Sequence, residues 1–188
     1  MRKKQMNLIK TKIKDLLIIE PRVFADGRGY FFESYNKMKL EDLIGKEYNF
    51  VQDNESKSSY GVIRGLHYQL APYSQAKLVR VLKGSVYDIA VDLRKDSPTF
   101  GGWEGVELSG ENKKQLLIPK GFAHGFSVLS ETAVFAYKCD EYYYPEAEAG
   151  IIYNDPSIGI DWKIPEKDTK LSEKDNLLPE LKNTKINF

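Results

Sequence analysis

Residues 77–93, KLVRVLKGSVYDIAVDL, contain two β-like runs separated by the turn pair Lys83-Gly84. Successive side chains of a strand point to opposite faces, so each run can be divided into two sets. In the second run, the uniformly apolar or aromatic face carries Tyr87, Ile89, Val91 and Leu93. The opposite face carries Asp88 and Asp92 together with Val86 and Ala90. The stretch therefore predicts two consecutive β-strands.

The first run raises a question about one lysine. Lys77 shares a face with Val79 and Val81, whereas Arg80 lies opposite. In a barrel wide enough to hold a ligand, that face is the mouth or the lumen. The alternative is that Lys77 begins the strand and extends its ammonium to water. Spacing alone favours this second interpretation.

Similar short runs recur along the chain and are separated by turn residues. The predicted strands cover residues 16–20, 29–35, 62–69, 77–83, 85–93, 103–108, 115–118, 123–129 and 133–139. Many short strands at regular spacing favour a sandwich or barrel. The repeated long amphipathic helices of a βαβ protein are absent from the pattern. We therefore expect an all-β fold of the jelly-roll barrel type.

The remaining segments complete a single predicted domain over residues 1–188. One short helix is expected at residues 37–44, with Asn36 as its N-cap and Gly45 as its stop. Residues 1–14 are basic and predict an arm or an edge strand. Residues 155–188 contain several prolines and predict loops and short helical turns packed on the main body.

Composition narrows the classes of protein. The chain has 188 residues and a formal net charge of +1, which argues against a nucleic-acid or membrane-surface partner. No apolar run approaches the roughly 20 residues of a membrane helix, and we identify no export signal. The single Cys139 cannot form an internal disulfide, which fits a cytoplasmic location.

The chain has two histidines, His67 and His124, each inside a strand-like apolar segment. An inward histidine is more often a core residue than a catalyst, but two in one small barrel favour a shared cavity. Residues 119–124, PKGFAH, resemble the second motif of the cupin superfamily. Metal-binding cupins carry a second histidine where this chain has Gln69. We therefore expect a cupin-type barrel without a metal.

A closer resemblance runs in one collinear order from about residue 23 to 175. The stretches that carry it are 23–34 (VFADGRGYFFES), 50–54 (FVQDN), 61–69 (GVIRGLHYQ), 77–81 (KLVRV), 88–94 (DIAVDLR), 118–126 (IPKGFAHGF), 154–156 (NDP) and 171–175 (LSEKD). Together they resemble the dTDP-4-dehydrorhamnose 3,5-epimerase family. The family inverts the carbons on either side of the ketone of a dTDP-4-keto sugar, without a cofactor, and forms homodimers.

The resemblance implies a set of catalytic residues. His67 is the expected base, oriented by Asp175, and Tyr137 is the expected proton donor on the far face of the sugar. Lys77 would place positive charge beside the enolate oxygen. The residues expected to bind the nucleotide sugar are Phe24, Arg28, Glu33, Gln52, Asn54, Arg64, His124, Tyr143, Glu148 and Lys174.

The sequence leaves three questions undecided. Strict alternation puts Arg64 and His67 on opposite faces, so either Gly65 marks a bulge or Arg64 serves a rim or a neighbouring subunit. Which of the adjacent tyrosines 142–144 contacts the sugar is undecided. The alternative functions are a single-carbon epimerase of another dTDP-deoxysugar pathway, a non-catalytic sugar-nucleotide binding cupin, and a metal-dependent cupin dioxygenase.

Overall fold

The structure, a computed structural model, describes residues 6–188. Within this range the chain is built mainly of β-strands. They are β1 (Met6–Lys10), β2 (Leu17–Pro21), β3 (Phe24–Asp26), β4 (Gly29–Phe31), β5 (Gln52–Ser59), β6 (Ile63–Gln69), β7 (Lys77–Lys83), β8 (Ser85–Asp92), β9 (Trp103–Ser109), β10 (Gln115–Ile118), β11 (Phe122–Val128), β12 (Thr132–Cys139) and β13 (Glu148–Gly150). The prediction of an all-β fold is confirmed.

Helical structure is short and lies outside the sheets. The elements are α1 (Lys37–Ile44), α2 (Glu173–Asn176) and the 3₁₀ turns Pro145–Ala147, Glu166–Asp168 and Leu181–Asn183. At the start of α1, the Asn36 side chain accepts a hydrogen bond from the Lys39 N–H. The helix ends at Gly45, whose φ of 74° suits a residue without a Cβ. Both predicted ends of this helix are confirmed.

Two sheets form the body of the molecule. The six-stranded sheet has the order β1-β2-β10-β7-β12-β5, and the five-stranded sheet has the order β13-β6-β11-β8-β9. Their facing sides enclose a core that includes Val79, Val81, Val86, Ala90 and Phe135. Strands β3 and β4 pair only with each other, as a separate hairpin.

The outer face of each sheet is also covered. Ile89 and Val91 of β8 pack with Ile158, Trp162 and Phe188 from the C-terminal segment. The segment that contains α1 covers the other sheet in the same way through a separate apolar cluster. Strand β8 is therefore buried on both faces, so its two aspartates are enclosed by protein.

Several predicted boundaries differ from the structure. The run at 29–35 ends at Phe31 because it pairs only with the short β3. Strand β5 was not predicted, since QDNESKSS lacks apolar alternation, but it pairs along its whole length with β12. Of the two alternatives for the N-terminal segment, residues Met6–Lys10 form an edge strand paired with β2. Of the rest of the predicted arm, residues 11–14 form a bend and turn that leads toward β2, and residues 1–5 lie outside the described residues.

No helix within residues 6–188 has the length and apolar character needed to cross a bilayer.

Candidate active site

A cavity of about 390 Å³ opens between the two large sheets. Many of the residues predicted for the site line it, including all four candidates for catalysis. These lining residues are Asn54, Arg64, His67, Lys77, His124, Tyr137, Lys174 and Asp175. They come from six different segments of the chain, so the fold brings together what the sequence separates.

His67 and Asp175 form a direct pair. The His67 Nε2 lies 2.6 Å from Asp175 Oδ1, although the two residues are 108 positions apart in the sequence. Asp175 is buried in α2, where its N–H donates to the Ser172 hydroxyl. Burial opposes its ionisation, but the contacts with His67, Ser172 and the Gly65 backbone together hold the pKa of Asp175 below its ordinary value. The carboxylate can therefore orient the imidazole and balance a positive charge on it.

Lys77 and Tyr137 lie on neighbouring strands of the six-stranded sheet. The Lys77 Nζ is 5.8 Å from the centre of the Tyr137 ring. Burial lowers the pKa of the Lys77 ammonium, and burial raises the pKa of the Tyr137 phenol. Lys77 thus takes the lumenal position that spacing had not favoured. The phenol keeps its proton near neutral pH, so it is able to donate one.

His124 contacts the buried carboxylate of Asp88, a pairing that the sequence analysis did not predict. Its Nε2 lies 3.1 and 3.0 Å from the two carboxyl oxygens of Asp88. The Asp88 side chain has no solvent exposure, and that of His124 is 8 % exposed. The signal was present in the alternation of β8, which puts Asp88 on the same face as Val86 and Ala90. A buried carboxylate on an interior face needs a partner.

The open question about Arg64 is answered by an irregular register. Phe126 pairs with Arg64 and His124 pairs with His67, so β6 has one more residue than β11 between these pairs. Gly65 lies at this shift with a φ of 108°. A Cβ there would come within 2.6 Å of the His124 carbonyl oxygen. The bulge lets Arg64 and His67 line the same cavity.

A polar cluster adjoins the cavity at Lys174 and forms its rim. Its other members, Gln52, Tyr143 and Glu148, are not among the residues that line the cavity. The Glu148 Oε2 accepts hydrogen bonds from the Tyr143 hydroxyl at 2.7 Å and from the Lys174 ammonium at 2.6 Å. Burial opposes the ionisation of Glu148, but these two donors hold its pKa below the ordinary value. The Gln52 Oε1 accepts from the Tyr143 N–H. Of the three adjacent tyrosines, Tyr143 is the one tied to this cluster, whereas Tyr144 stacks on Tyr73.

Three predicted binding residues lie elsewhere in this chain. Phe24 and Arg28 belong to the exposed hairpin of β3 and β4, which borders a separate depression. Arg28 pairs with Asp26, and Glu33 pairs with Lys39 near α1. None of them is among the residues that line the His67 cavity.

Gln69, which stands where metal-binding cupins have their second histidine, makes structural hydrogen bonds. The Gln69 Nε2 donates to the carbonyls of Tyr73 and Tyr142, and its Oε1 accepts from the Tyr144 N–H. Gln69 thus anchors the tyrosine loop. Residues 6–188 contain no cluster of three or more His, Cys, Asp or Glu side chains arranged to hold a metal ion.

The reactive groups of the cavity are a histidine with an orienting carboxylate, a protonated phenol and a lysine ammonium. A base, an acid and a cation are what proton abstraction next to a carbonyl requires. Arg64 and Lys174 add positive charge at the same cavity. The arrangement therefore suits an acidic C–H beside a ketone on an anionic substrate.

Comparisons with known proteins agree with this chemistry. The model of the dTDP-4-dehydrorhamnose 3,5-epimerase family matches residues 10–183. A dTDP-4-dehydrorhamnose 3,5-epimerase of Shigella flexneri is 58 % identical over 170 residues, which are 90 % of this chain and 93 % of that protein.

Solved structures give the same result. An Elizabethkingia anophelis dTDP-4-dehydrorhamnose 3,5-epimerase superposes with a TM-score of 0.92 at 59 % identity, covering 95 % of this chain and 98 % of the other. A Legionella pneumophila dTDP-6-deoxy-D-glucose-3,5-epimerase, solved with dTDP-4-keto-L-rhamnose, has a TM-score of 0.91 at 55 % identity and covers 95 % and 94 %. These neighbours confirm the predicted cupin-type jelly roll. The chain belongs to the dTDP-4-dehydrorhamnose 3,5-epimerase family.

Proposed function

We propose that this protein inverts C3 and C5 of dTDP-4-keto-6-deoxyglucose to give dTDP-4-keto-L-rhamnose, a step of dTDP-L-rhamnose biosynthesis. The observation that carries the proposal is that His67, Lys77 and Tyr137 surround one cavity. His67 stands on the five-stranded sheet, whereas Lys77 and Tyr137 stand on the six-stranded sheet. A sugar ring held between the sheets would meet a base on one side and an acid on the other.

His67 acts as the base in this proposal. It takes the proton from the carbon beside the ketone, and the C–H electron pair moves into the enolate. Its Nε2 is bonded to Asp175, which leaves Nδ1 for the incoming proton. Asp175 then faces an imidazolium, whose charge the buried carboxylate balances.

Tyr137 returns a proton to the opposite face of the same carbon, which inverts it. The Lys77 ammonium stabilises the negative charge that develops on the ketone oxygen. Each inversion breaks one C–H bond and forms one C–H bond, so the oxidation state of the sugar is unchanged. The proposal accordingly includes no cofactor.

Arg64 and Lys174 are proposed to bind the diphosphate. The Arg64 Nε donates to the Ser58 hydroxyl at 3.0 Å, which fixes the guanidinium while other N–H groups stay available. Lys174 shares its charge with Glu148. Asn54, Gln52 and Tyr143 are proposed to contact the sugar or the nucleotide from the rim.

We also propose that the active form is a cytoplasmic homodimer. Phe24, Arg28 and Glu33 do not line the cavity of their own chain. The hairpin exposes Tyr30 and Phe31, which are 58 % and 69 % exposed. Exposed aromatic residues are typical of interfaces. The hairpin would reach the partner's cavity. Sedimentation of the active enzyme should give twice the chain mass, and a fully active monomer would contradict the dimer.

The function is tested by proton NMR of dTDP-4-keto-6-deoxyglucose in heavy water with catalytic amounts of the protein. We expect deuterium at two ring carbons, C3 and C5, with inversion at both. Label at one carbon would identify a single-carbon epimerase. Binding without label would identify a sugar-nucleotide binding protein and overturn the proposal.

A further inference from the structure

The cavity contains a second histidine–aspartate pair that the proposed proton transfers do not use. His124 and His67 are direct neighbours across β11 and β6. Each uses its Nε2 to contact an aspartate, Asp88 for His124 and Asp175 for His67. Both imidazoles line the same cavity. The second pair needs a function of its own.

The bonding of His124 identifies the nitrogen that is open to a ligand. Its hydrogen bonds run from Nε2 to the two Asp88 oxygens. Within residues 6–188, every side-chain nitrogen or oxygen that is fully buried has a hydrogen-bond partner. The Nδ1 of His124 has no partner among the described residues, so it is not fully buried, and His124 lines the cavity.

The balance of charge around Asp88 indicates which nitrogen of the His124 ring carries a proton. Asp88 is wholly enclosed, and its negative charge needs a compensating cation. Burial raises the pKa of Asp88, while the hydrogen bond from His124 and the charge of Lys77 act against that rise. The Lys77 ammonium on the facing sheet can supply the cation. A neutral imidazole then donates its single N–H from Nε2 to the carboxylate.

We propose that Asp88 is a positioning residue that fixes the Nε2–H tautomer of His124, so that Nδ1 accepts a hydrogen bond from a hydroxyl group of the bound sugar. The inference rests on the proposed function for the identity of the ligand. A nitrogen that only accepts cannot bind the ketone oxygen, so His124 recognises an alcohol. Such a site discriminates against sugars that lack the hydroxyl.

The test is ¹⁵N NMR of the free protein with labelled histidine, in which only two imidazoles contribute signals. Loss of one set of signals in His67→Gln assigns the other set to His124. We expect the Nε2–H tautomer for His124 in the unmodified protein. An imidazolium or an Nδ1–H tautomer would overturn the proposal, whether or not the protein is an epimerase.

Asp88→Leu provides the decisive variant. Leucine has a similar shape but offers no acceptor oxygen, so the ring should no longer be held in one tautomer, and the shifts of its two nitrogens should average. Asp92→Asn is the matched control, because it removes the charge of another buried aspartate of β8 that bonds to Arg94 and Ser97 instead. It should leave the His124 tautomer unchanged. A pure Nε2–H tautomer in folded Asp88→Leu would refute the role of Asp88.

The ligand is tested separately with two unreactive probes. dTDP-glucose carries sugar hydroxyls and no ketone, and it should move the His124 Nδ1 resonance toward the hydrogen-bonded range. dTDP alone should not. If dTDP-glucose binds and Nδ1 does not respond, the hydroxyl assignment is wrong. In turnover, Asp88→Leu should raise KM about five- to tenfold and affect kcat less, the pattern of a lost binding contact.

Discussion

The two histidine–aspartate pairs of the cavity have the same atomic contact and different surroundings. In both, a histidine Nε2 approaches a carboxylate, at 2.6 Å in His67–Asp175 and at 3.0 Å in His124–Asp88. The His67 side chain is 30 % exposed, whereas that of His124 is 8 % exposed. Asp175 comes from the C-terminal segment, and Asp88 comes from a central strand. Only the first pair combines a buried carboxylate with an accessible ring.

The difference shows that the contact alone does not define a catalytic base. A base must exchange its proton with substrate and then with solvent, which suits the half-buried His67. The His124 pair is enclosed by β8 and β11, so it suits a fixed hydrogen bond. Substitutions at the two pairs should therefore affect different kinetic constants.

The largest effect is expected from His67→Ala. Removal of the base should lower kcat by about 10²–10⁴-fold, because proton abstraction loses its acceptor. Steady-state turnover of dTDP-4-keto-6-deoxyglucose measures this loss. Near-normal turnover of the folded variant would show that His67 is not the base.

His124→Ala is the matched variant at the second pair. The lost hydrogen bond to the sugar should appear mainly as an increase in KM, and circular dichroism should verify the fold. If both alanine variants lower kcat to the same extent, the distinction between the pairs fails.

Lys77→Met tests the cation that is proposed to stabilise the enolate oxygen. The enolate oxygen loses its electrostatic partner, so kcat should fall by about 10²–10³-fold. Lys77→Arg keeps the charge and should recover part of the rate. Equal activity of the methionine and arginine variants would mean that the charge of Lys77 is not used.

The smallest effect on activity is expected from Asp92→Asn, which lies on the same strand as Asp88 but outside the cavity. Burial opposes ionisation of Asp92, but hydrogen bonds from Arg94, Ser97 and Thr99 lower its pKa to about 2. The ionised form therefore stabilises the fold above the unfolded pKa near 4, and this contribution is lost as pH falls toward 2.

The substitution should cost about 2 kcal/mol of unfolding free energy at neutral pH, and this cost should shrink below about pH 4. Urea unfolding across pH measures it. A constant difference between the two proteins down to pH 2 would contradict the assignment.

Caps and turn residues in the sequence predicted the elements whose ends depend on neighbouring residues in the chain. Helix α1 has its cap and its stop within the sequence, and β7 and β10 have the predicted bounds. Strand β5 escaped prediction because its polar sequence becomes a strand only through pairing with β12. Its stability comes from a neighbour that is distant in the chain.

In the candidate active site, too, contacts between residues distant in the chain could not be predicted from local signals. Resemblance identified His67 and Asp175, but only the fold brings residues 108 positions apart into contact. The Asp88–His124 contact was missed, since alternation gives the face of a side chain and not its partner. Spacing favoured a Lys77 that extends to water, whereas its side chain is partly buried and lines the cavity.

The most direct test of the account is the reaction of Tyr137→Phe in heavy water, followed by proton NMR. His67 would still remove the proton, but no acid would remain on the opposite face. We predict deuterium incorporation with retained configuration at the exchanged carbon, so that exchange continues while inversion is lost. Inversion by this variant at the rate of the unmodified protein would contradict a base and an acid acting from the two facing sheets.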